Sequence, residues 1–276
     1  MSYVFNVPLE EVVKTRTSVR TYNGIAVSQD IKDQINQYIN NLSGPFSPKV
    51  TFKLLESKSV SNSAKLGTYG VIKGAFDYIG ATVNEEELCL EELGYEFEKL
   101  ILYITSLGLG TCWLGGTFKK SEFASAMGVK EKEIFPAISP LGYSADKKSL
   151  TDSFVRLVAK SAHRKAWEEL FFNNNFSTPL NKTDCGEYAD SLEMIRLAPS
   201  ASNKQPWRIV KDDNSYHFYE IKAQGYDIQR VDMGIAICHF HLASVEKNLK
   251  GEFKKLSPTI SGTPDNGQYI VSWVCE

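Results

Sequence analysis

The sequence lacks the features that mark several common classes of protein. It has no apolar run near the ~20 residues that a membrane-spanning helix needs, and its first residues, MSYVFNVPLEE, lack the basic-then-apolar order of a signal peptide. Its 31 basic and 33 acidic residues leave a net charge of -2, which gives no bulk attraction to nucleic acid or to an anionic membrane. We therefore expect no nucleic-acid partner and no membrane association, and any bound anion must be held by a local cluster.

Cysteine is also scarce, because the chain has five such residues, which are scattered and show no CxxC spacing. An odd, scattered set argues against a disulfide framework and favours reduced thiols in a cytoplasmic protein. One short segment, Cys238-His239-Phe240-His241, resembles a metal site. On a helix, however, its two histidines would lie on opposed faces, so they could not share an ion. Neither an HExxH helix nor a Ser-His-Asp order is present, so no metal site and no hydrolytic site are expected.

Hydrophobic periodicity predicts a similar set of elements in each half of the chain. Helices are predicted from Pro8, from Ser28, over 97–107, up to Leu197 and over 235–245. Strands are predicted over 50–55, 76–83, 137–143, 207–210, 216–221 and 269–274. This order indicates an α+β fold with a mixed, largely antiparallel sheet flanked by helices, present twice.

The two halves also share the start of one helix. Glu92-Leu93-Gly94 precedes the apolar stripe of the first half, and Asp232-Met233-Gly234 precedes that of the second. The period of roughly 140 residues is too long for a solenoid, whose repeats have ~20–50 residues. It favours a duplicated subunit fused into one chain, with chance similarity between two α+β halves as the alternative. We expect the first half to span 1–165 and the second to span 166–276, packed as one compact unit.

Three segments have compositions that suit the binding of an anionic, flat ligand. In Arg16-Thr17-Ser18-Val19-Arg20, an extended chain would point residues 16, 18 and 20 to one side. That side would carry many donors and no acceptor, which suits a phosphate. The alternative is a solvated basic turn.

The second segment is rich in glycine and reads GLGTCWLGG over 108–116. The pair Gly115-Gly116 would let the backbone approach a flat ligand closely and present unobstructed N–H groups. A tight turn is the alternative. Cys112 is interpreted as a small buried hydrophobe rather than a nucleophile, because no histidine lies near it in the sequence.

The third segment, LAPSASNKQPW over 197–207, places hydroxyls, an amide and two prolines before a predicted strand. Ser200, Ser202 and Asn203 could simply cap a turn, which is a common use of such residues. On this alternative, turn capping alone accounts for the polar residues, and the segment binds no ligand.

Taken together, RTSVR, GLGTCWLGG and PSASNKQPW resemble motifs of the nitroreductase family of flavin-dependent oxidoreductases, and the resemblance touches most of the chain. In one respect the chain departs from the family. Ordinary members carry PSxxNxQPW upstream of the glycine-rich segment, whereas here it lies about ninety residues downstream. Family members are usually homodimers that bind FMN in the interface, with PSxxN supplied by the partner. The resemblance therefore implies a single-chain pseudodimer in which the second half plays the partner.

The distribution of the motifs predicts one FMN site per chain. The first half has lost the asparagine-glutamine pattern, and the second half has neither RTSVR nor WLGG. Each half thus keeps pieces that complement the other. The chain is expected to work as a monomer, since its second half takes the place of a partner subunit.

The resemblance also implies which residues bind the cofactor. They are Arg16, Ser18, Arg20, Leu114, Gly115, Gly116, Arg164, Lys165, Pro199, Ser200, Ala201 and Asn203. The first two would hold the FMN phosphate together with Arg164, with Lys165 as a neighbour. Arg20 would approach the pyrimidine edge, the glycine pair would meet N5 and the adjacent carbonyl oxygen, and the last four residues would line the flavin from the other half.

The implied function is an FMN-dependent oxidoreductase that passes electrons from NAD(P)H through flavin N5 to nitroaromatic, quinone or similar small acceptors by a ping-pong mechanism. No side chain is expected to be catalytic, because the flavin performs the chemistry while the protein supplies position and charge. A protein that binds FMN without turnover, for storage or sensing, is the alternative.

Overall fold

The computed structural model describes residues 4–56, 66–145, 163–223 and 228–276. The α-helices in these residues are α1 (Leu9–Thr15), α2 (Gln29–Asn40), α3 (Cys89–Ser106), α4 (Lys120–Met127), α5 (Ala189–Leu197) and α6 (Gln229–Glu246). The strands are β1 (Val50–Glu56), β2 (Asp77–Asn84), β3 (Gly110–Thr111), β4 (Glu133–Gly142), β5 (Phe171–Asn173), β6 (Trp207–Asp212), β7 (Ser215–Ile221), β8 (Gly251–Lys254) and β9 (Gly267–Cys275). Every helix and strand expected from periodicity is present, and α4, β3, β5 and β8 are additional.

The strands form two sheets, which confirms the expected α+β class. The first sheet has the order β1-β2-β4-β3, and all its pairs are antiparallel. The second has the order β5-β6-β7-β9-β8, with β5 and β6 parallel and the other pairs antiparallel. Each sheet is therefore largely antiparallel, and the second is mixed.

The two sheets share one topology. Without β5, the order β6-β7-β9-β8 of the second sheet repeats the order β1-β2-β4-β3 of the first. The helices occupy corresponding places as well, since α2 and α5 precede the first strand of this pattern while α3 and α6 follow the second. The strand β5 occupies the outer edge of β6, the position that has no counterpart in the first sheet among the described residues.

The centre of the molecule is the contact between α3 and α6. Helix α3 packs on β1 and β2, α6 packs on β6 and β7, and the two helices cross each other. At the crossing, a Cβ on Gly94 would overlap the carbonyl oxygen of Val231, and a Cβ on Gly234 would overlap that of Glu91. The contact is reciprocal and brings main chain against main chain, which only glycine permits at these two positions.

Several contacts connect elements that are far apart in the sequence. The main hydrophobic cluster draws buried residues from both halves, and α1 packs on α3, α5 and α6. The backbone N–H of Leu9 donates to the carboxylate of Glu246 at 3.1 Å. All five cysteines lie in the described part of the chain, and none forms a disulfide. Of the helices described, none is long and apolar enough to cross a membrane.

Candidate functional site

A single cleft brings most of the predicted site residues together. It encloses about 820 Å³ of space, open solvent included. The predicted residues that line it are Arg16, Ser18, Arg20, Gly115, Arg164, Pro199, Ser200, Ala201 and Asn203. The lining also includes Trp113, Ala137, Ser202, Ile228, Val231, Asp232 and Ile235, which were not among the predicted residues.

Three predicted residues do not line the cleft. The side chain of Leu114 is buried in a neighbouring apolar cluster, and its backbone exchanges hydrogen bonds with Ile138 at 2.9 and 3.0 Å. Gly116 is exposed, and a Cβ at this position would meet no atom within 4 Å. Lys165 donates its backbone N–H to Gln205 Oε1 at 2.8 Å.

The segment from Arg16 to Arg20 is held beside the glycine-rich segment. Val19 donates its N–H to the carbonyl of Thr111 at 2.8 Å, and Ser18 pairs with Thr111 in an isolated parallel bridge. Residues 16, 18 and 20 all reach the cleft, as alternation in an extended segment requires.

Positive charge is concentrated in the cleft. Arg16, Arg20 and Arg164 contribute guanidinium groups to its lining. Burial lowers the pKa of Arg164 to about 10, and the nearby charges of Arg16 and Arg196 act in the same direction. The group remains charged at neutral pH. Because the Nε of Arg16 is buried and has no hydrogen-bond partner among the described residues, the cleft contains an unused donor that suits an anion.

The opposite wall is an unusually constrained turn. Ser202, Asn203 and Gln205 have φ values of 51°, 54° and 49°, in the left-handed region, where residues other than glycine are uncommon. Gln205 donates its N–H to Ser200 Oγ at 2.9 Å, and Ala201 donates its N–H to Asp232 Oδ1 at 2.9 Å. Strained backbone of this kind persists only where its surroundings hold it in place.

Asn203 connects this turn to the end of the first half. Its Nδ2 donates to the carbonyl of His163 at 2.7 Å, and its Oδ1 accepts from Arg164 Nη1 at 3.2 Å. Arg164 also donates to the carbonyl of Leu197. Although Asn203 borders the cleft, these bonds commit its side-chain amide to His163 and Arg164.

A buried polar chain fixes the glycine-rich segment. Trp113 Nε1 donates to Glu98 Oε2 at 2.7 Å, and Glu98 Oε1 lies 3.0 Å from His239 Nε2. Both Glu98 and His239 are fully buried. A Cβ on Gly115 would meet the terminal Cδ1 of Ile228, so this glycine lies directly against the side chain at the start of α6.

Asp232 lines the cleft and was not predicted from the sequence, and it is the one described lining residue with a buried carboxyl group. Its side chain is 3% exposed, and burial is the main cause that raises its pKa to about 7. Oδ1 accepts from Ala201, while Oδ2 is buried without a partner in the described residues. The repeated helix start, Asp232-Met233-Gly234 against Glu92-Leu93-Gly94, was the signal in the sequence that could have pointed to it.

Comparison with known proteins matches most of the chain to one family. The family model described as "Putative TM nitroreductase" matches residues 8–244. The solved structure of a "putative nitroreductase" from Thermotoga maritima MSB8 has 20% sequence identity and a TM-score of 0.65, and the match covers 100% of this chain and 97% of that one. At this identity the likeness concerns the fold.

Shorter matches come from other nitroreductases. A nitroreductase family protein from Clostridium novyi NT has 22% identity and a TM-score of 0.41, covering 54% of this chain and 92% of its own. An FMN-dependent nitroreductase from Clostridium difficile R20291 has 20% identity and a TM-score of 0.41, covering 50% and 88%. No curated protein sequence matches the chain.

Proposed function

The chain belongs to the TM nitroreductase family, and from that premise we propose that it is an FMN-dependent oxidoreductase. In this proposal it passes electrons from NAD(P)H to a small acceptor such as a nitroaromatic compound or a quinone. The observation that carries the proposal is the cleft whose lining combines Arg16, Arg20 and Arg164 with the Pro199–Asn203 turn. A cationic end and an apolar, glycine-containing wall are what a phosphate-bearing flat cofactor requires.

The residues of the cleft fit FMN in charge and shape. The buried, unpartnered Nε of Arg16 and the nearby charge of Arg164 would hold the phosphate, with the hydroxyl of Ser18 beside them. Gly115 leaves the backbone open at the cleft, where its N–H would meet the ring. Ile228, Val231 and Ile235 supply an apolar surface from α6 for the rest of the cofactor.

The chain's own contribution is position and charge. FMN, when bound, supplies the chemistry of accepting a hydride from NAD(P)H and returning the electrons to a second substrate in a ping-pong sequence. Arg20 would place a positive charge next to the ring, which favours a negatively charged state of the ligand over a neutral one. The hydrogen bonds of Trp113 to Glu98 on α3 and of Asn203 to His163 would hold these two lining residues in place.

The proposal extends to the organisation of the chain. We propose that the halves 1–165 and 166–276 stand for two subunits and that the chain works as a monomer, because lining residues of the cleft come from both halves of one chain. A cytoplasmic location agrees with five cysteines that form no disulfide.

The visible spectrum of the purified protein, recorded anaerobically before and after addition of NADPH or NADH, tests the function. The proposal expects a yellow protein that bleaches with one of the two donors and regains its colour when a quinone is added. A protein that stays yellow with both donors would support storage or sensing instead. A colourless protein that does not bind added FMN would contradict both functions.

A further inference from the structure

The cleft contains one polar atom that no role described so far uses. Asp232 is 3% exposed, and it is the only acid among the described residues that line the cleft. Its Oδ1 accepts the N–H of Ala201 at 2.9 Å, but its Oδ2 is buried and finds no partner in the described part of the chain. A buried carboxylate oxygen without a donor is unfavourable, so the site is complete only when something donates to it.

The equivalent carboxyl of the first half also accepts a hydrogen bond from a turn. It nevertheless leaves no buried oxygen without a partner among the described residues. Glu92 occupies the position of Asp232 in the repeated helix start, and its Oε2 accepts the N–H of Phe46 at 2.9 Å. The same carboxyl also takes a hydrogen bond from the backbone of Gly44 and one shared with Glu96. The longer glutamate thus uses its oxygens on its own turn and helix. The shorter aspartate lines the cleft and keeps one buried oxygen without a partner among the described residues.

We propose that Asp232 is a positioning residue of this site, with Oδ1 fixing the Pro199–Asn203 turn and Oδ2 accepting a hydrogen bond from the bound ligand. The donor would be an N–H of the flavin ring or an O–H of the ribityl chain, because the phosphate of FMN offers acceptors for the arginines instead. This inference rests on the proposed function. It adds an acidic contact to a cleft whose other charged groups, Arg16, Arg20 and Arg164, are cations.

The protonation state of Asp232 makes this contact measurable. Its pKa is raised to about 7, mainly by burial; the charge of Glu220 on β7 acts in the same direction, while the N–H of Ala201 and the charge of Lys204 oppose it. A ligand donor bound to Oδ2 stabilises the carboxylate and not the acid, so binding lowers this pKa. Ligand binding near pH 7 therefore releases protons, and affinity rises as the pH increases through that range.

The test compares Asp232→Asn with Glu92→Gln, a matched change of the carboxyl that lies outside the cleft. Both variants keep the size of the side chain and remove the charge. FMN and riboflavin are titrated against each apoprotein, with bound flavin followed by its fluorescence, and proton release is measured by calorimetry in two buffers of different ionisation enthalpy. Riboflavin is needed because the phosphate of FMN itself titrates at about pH 6.

We expect Asp232→Asn to weaken binding of FMN and riboflavin alike, by roughly 10- to 100-fold, since the lost bond involves a charged acceptor. Riboflavin binding to the wild-type chain should release a fraction of a proton near pH 7, and Asp232→Asn should abolish that release while Glu92→Gln retains it. If Asp232→Asn does not fold, the proton release of the wild type decides alone.

Two results would overturn the inference and leave the proposed function standing. One is unchanged flavin affinity in Asp232→Asn, which would reduce Asp232 to a support of the turn. The other is riboflavin binding to the wild type with no release of protons near pH 7. A wild-type chain that binds neither flavin contradicts the inference and the proposed function together.

Discussion

At the scale of single residues, the arginines of the cleft differ in their hydrogen-bond partners. Arg164 is anchored by protein acceptors, namely the carbonyl of Leu197 and the Oδ1 of Asn203. Arg16, in contrast, keeps a buried Nε without a partner in the residues described. Arg164 therefore offers mainly positive charge to a ligand. Arg16 offers positive charge and also an Nε–H donor with no partner among the described residues. We therefore expect Arg16 to contribute most specifically to recognition of a phosphate.

Replacement of Arg16 by alanine tests this assignment. A charge-assisted hydrogen bond contributes about 1.5–3 kcal/mol, so Arg16→Ala should weaken FMN binding roughly 10- to 100-fold, while riboflavin, which has no phosphate, should bind nearly as before. Fluorescence titration of both ligands measures the difference. Arg196→Ala is the matched control, because that guanidinium is paired with Glu193 and does not line the cleft. Equal losses for both ligands in Arg16→Ala would show that Arg16 supports the fold instead.

A site residue could be predicted from the sequence where the local backbone conformation alone decides on which side its side chain lies. Alternation along an extended segment is sufficient to bring Arg16, Ser18 and Arg20 to one side. The sequence could not anticipate the partners of Asn203, because the carbonyl of His163 that its amide contacts is brought near by the packing of the two halves. Asp232 was not predicted because an acidic residue in the first turn of a helix is favoured by the helix dipole alone. Its presence there does not indicate a binding site.

At the scale of elements, periodicity found the segments that bury a continuous face and missed those that do not. Helix α3 is buried along nearly its whole length, and its apolar stripe predicted it. Helix α4 buries only Phe123, so no stripe marks it in the sequence. The strand β3 has 2 residues, which is too short for any alternation to be visible.

The crossing of α3 and α6 is the element-scale feature with the clearest energetic consequence. Alanine is the better helix former by about 1 kcal/mol, so Gly94→Ala or Gly234→Ala should stabilise the protein if only propensity mattered. A Cβ at either position would instead overlap a carbonyl oxygen of the other helix, and we expect each variant to lose about 1–3 kcal/mol of unfolding free energy. Urea denaturation measures this loss.

The control for that experiment is Gly116→Ala, since a Cβ at Gly116 meets no atom within 4 Å. Its unfolding free energy should stay within about 0.5 kcal/mol of the wild type. If Gly94→Ala is as stable as this control, the two helices do not cross at main-chain contact.

At the scale of the whole molecule, we propose that the chain arose by duplication of one nitroreductase-like unit. The repeated strand order, the reciprocal glycine contacts at the helix crossing and the carboxyl-to-turn bonds of Glu92 and Asp232 all support this. Chance similarity between two α+β halves would explain the strand order, but it does not explain the paired positions at the crossing. The general repeat could be predicted from the sequence, whereas the reciprocity of the contacts required the structure.

The two halves differ at the place where a second site would lie. There the turn after α2 carries Phe46, whose ring packs edge-on against Phe253 at 5.8 Å, and its N–H is held by Glu92. Burial raises the pKa values of Glu92 and Glu96, so this carboxyl pair retains a proton more readily than exposed carboxyls do. Aromatic packing thus occupies the turn that corresponds to Pro199–Asn203, which agrees with a chain that keeps one flavin site.

The ratio of bound FMN to protein tests this central claim most directly. The apoprotein is saturated with FMN and freed of excess ligand, and the released flavin is quantified against the chain concentration. Because the cleft draws its lining from both ends of the chain, and the turn that corresponds to Pro199–Asn203 carries Phe46 packed against Phe253, we expect one FMN per chain. A ratio near two would show that each half binds its own flavin, and it would contradict the single composite site.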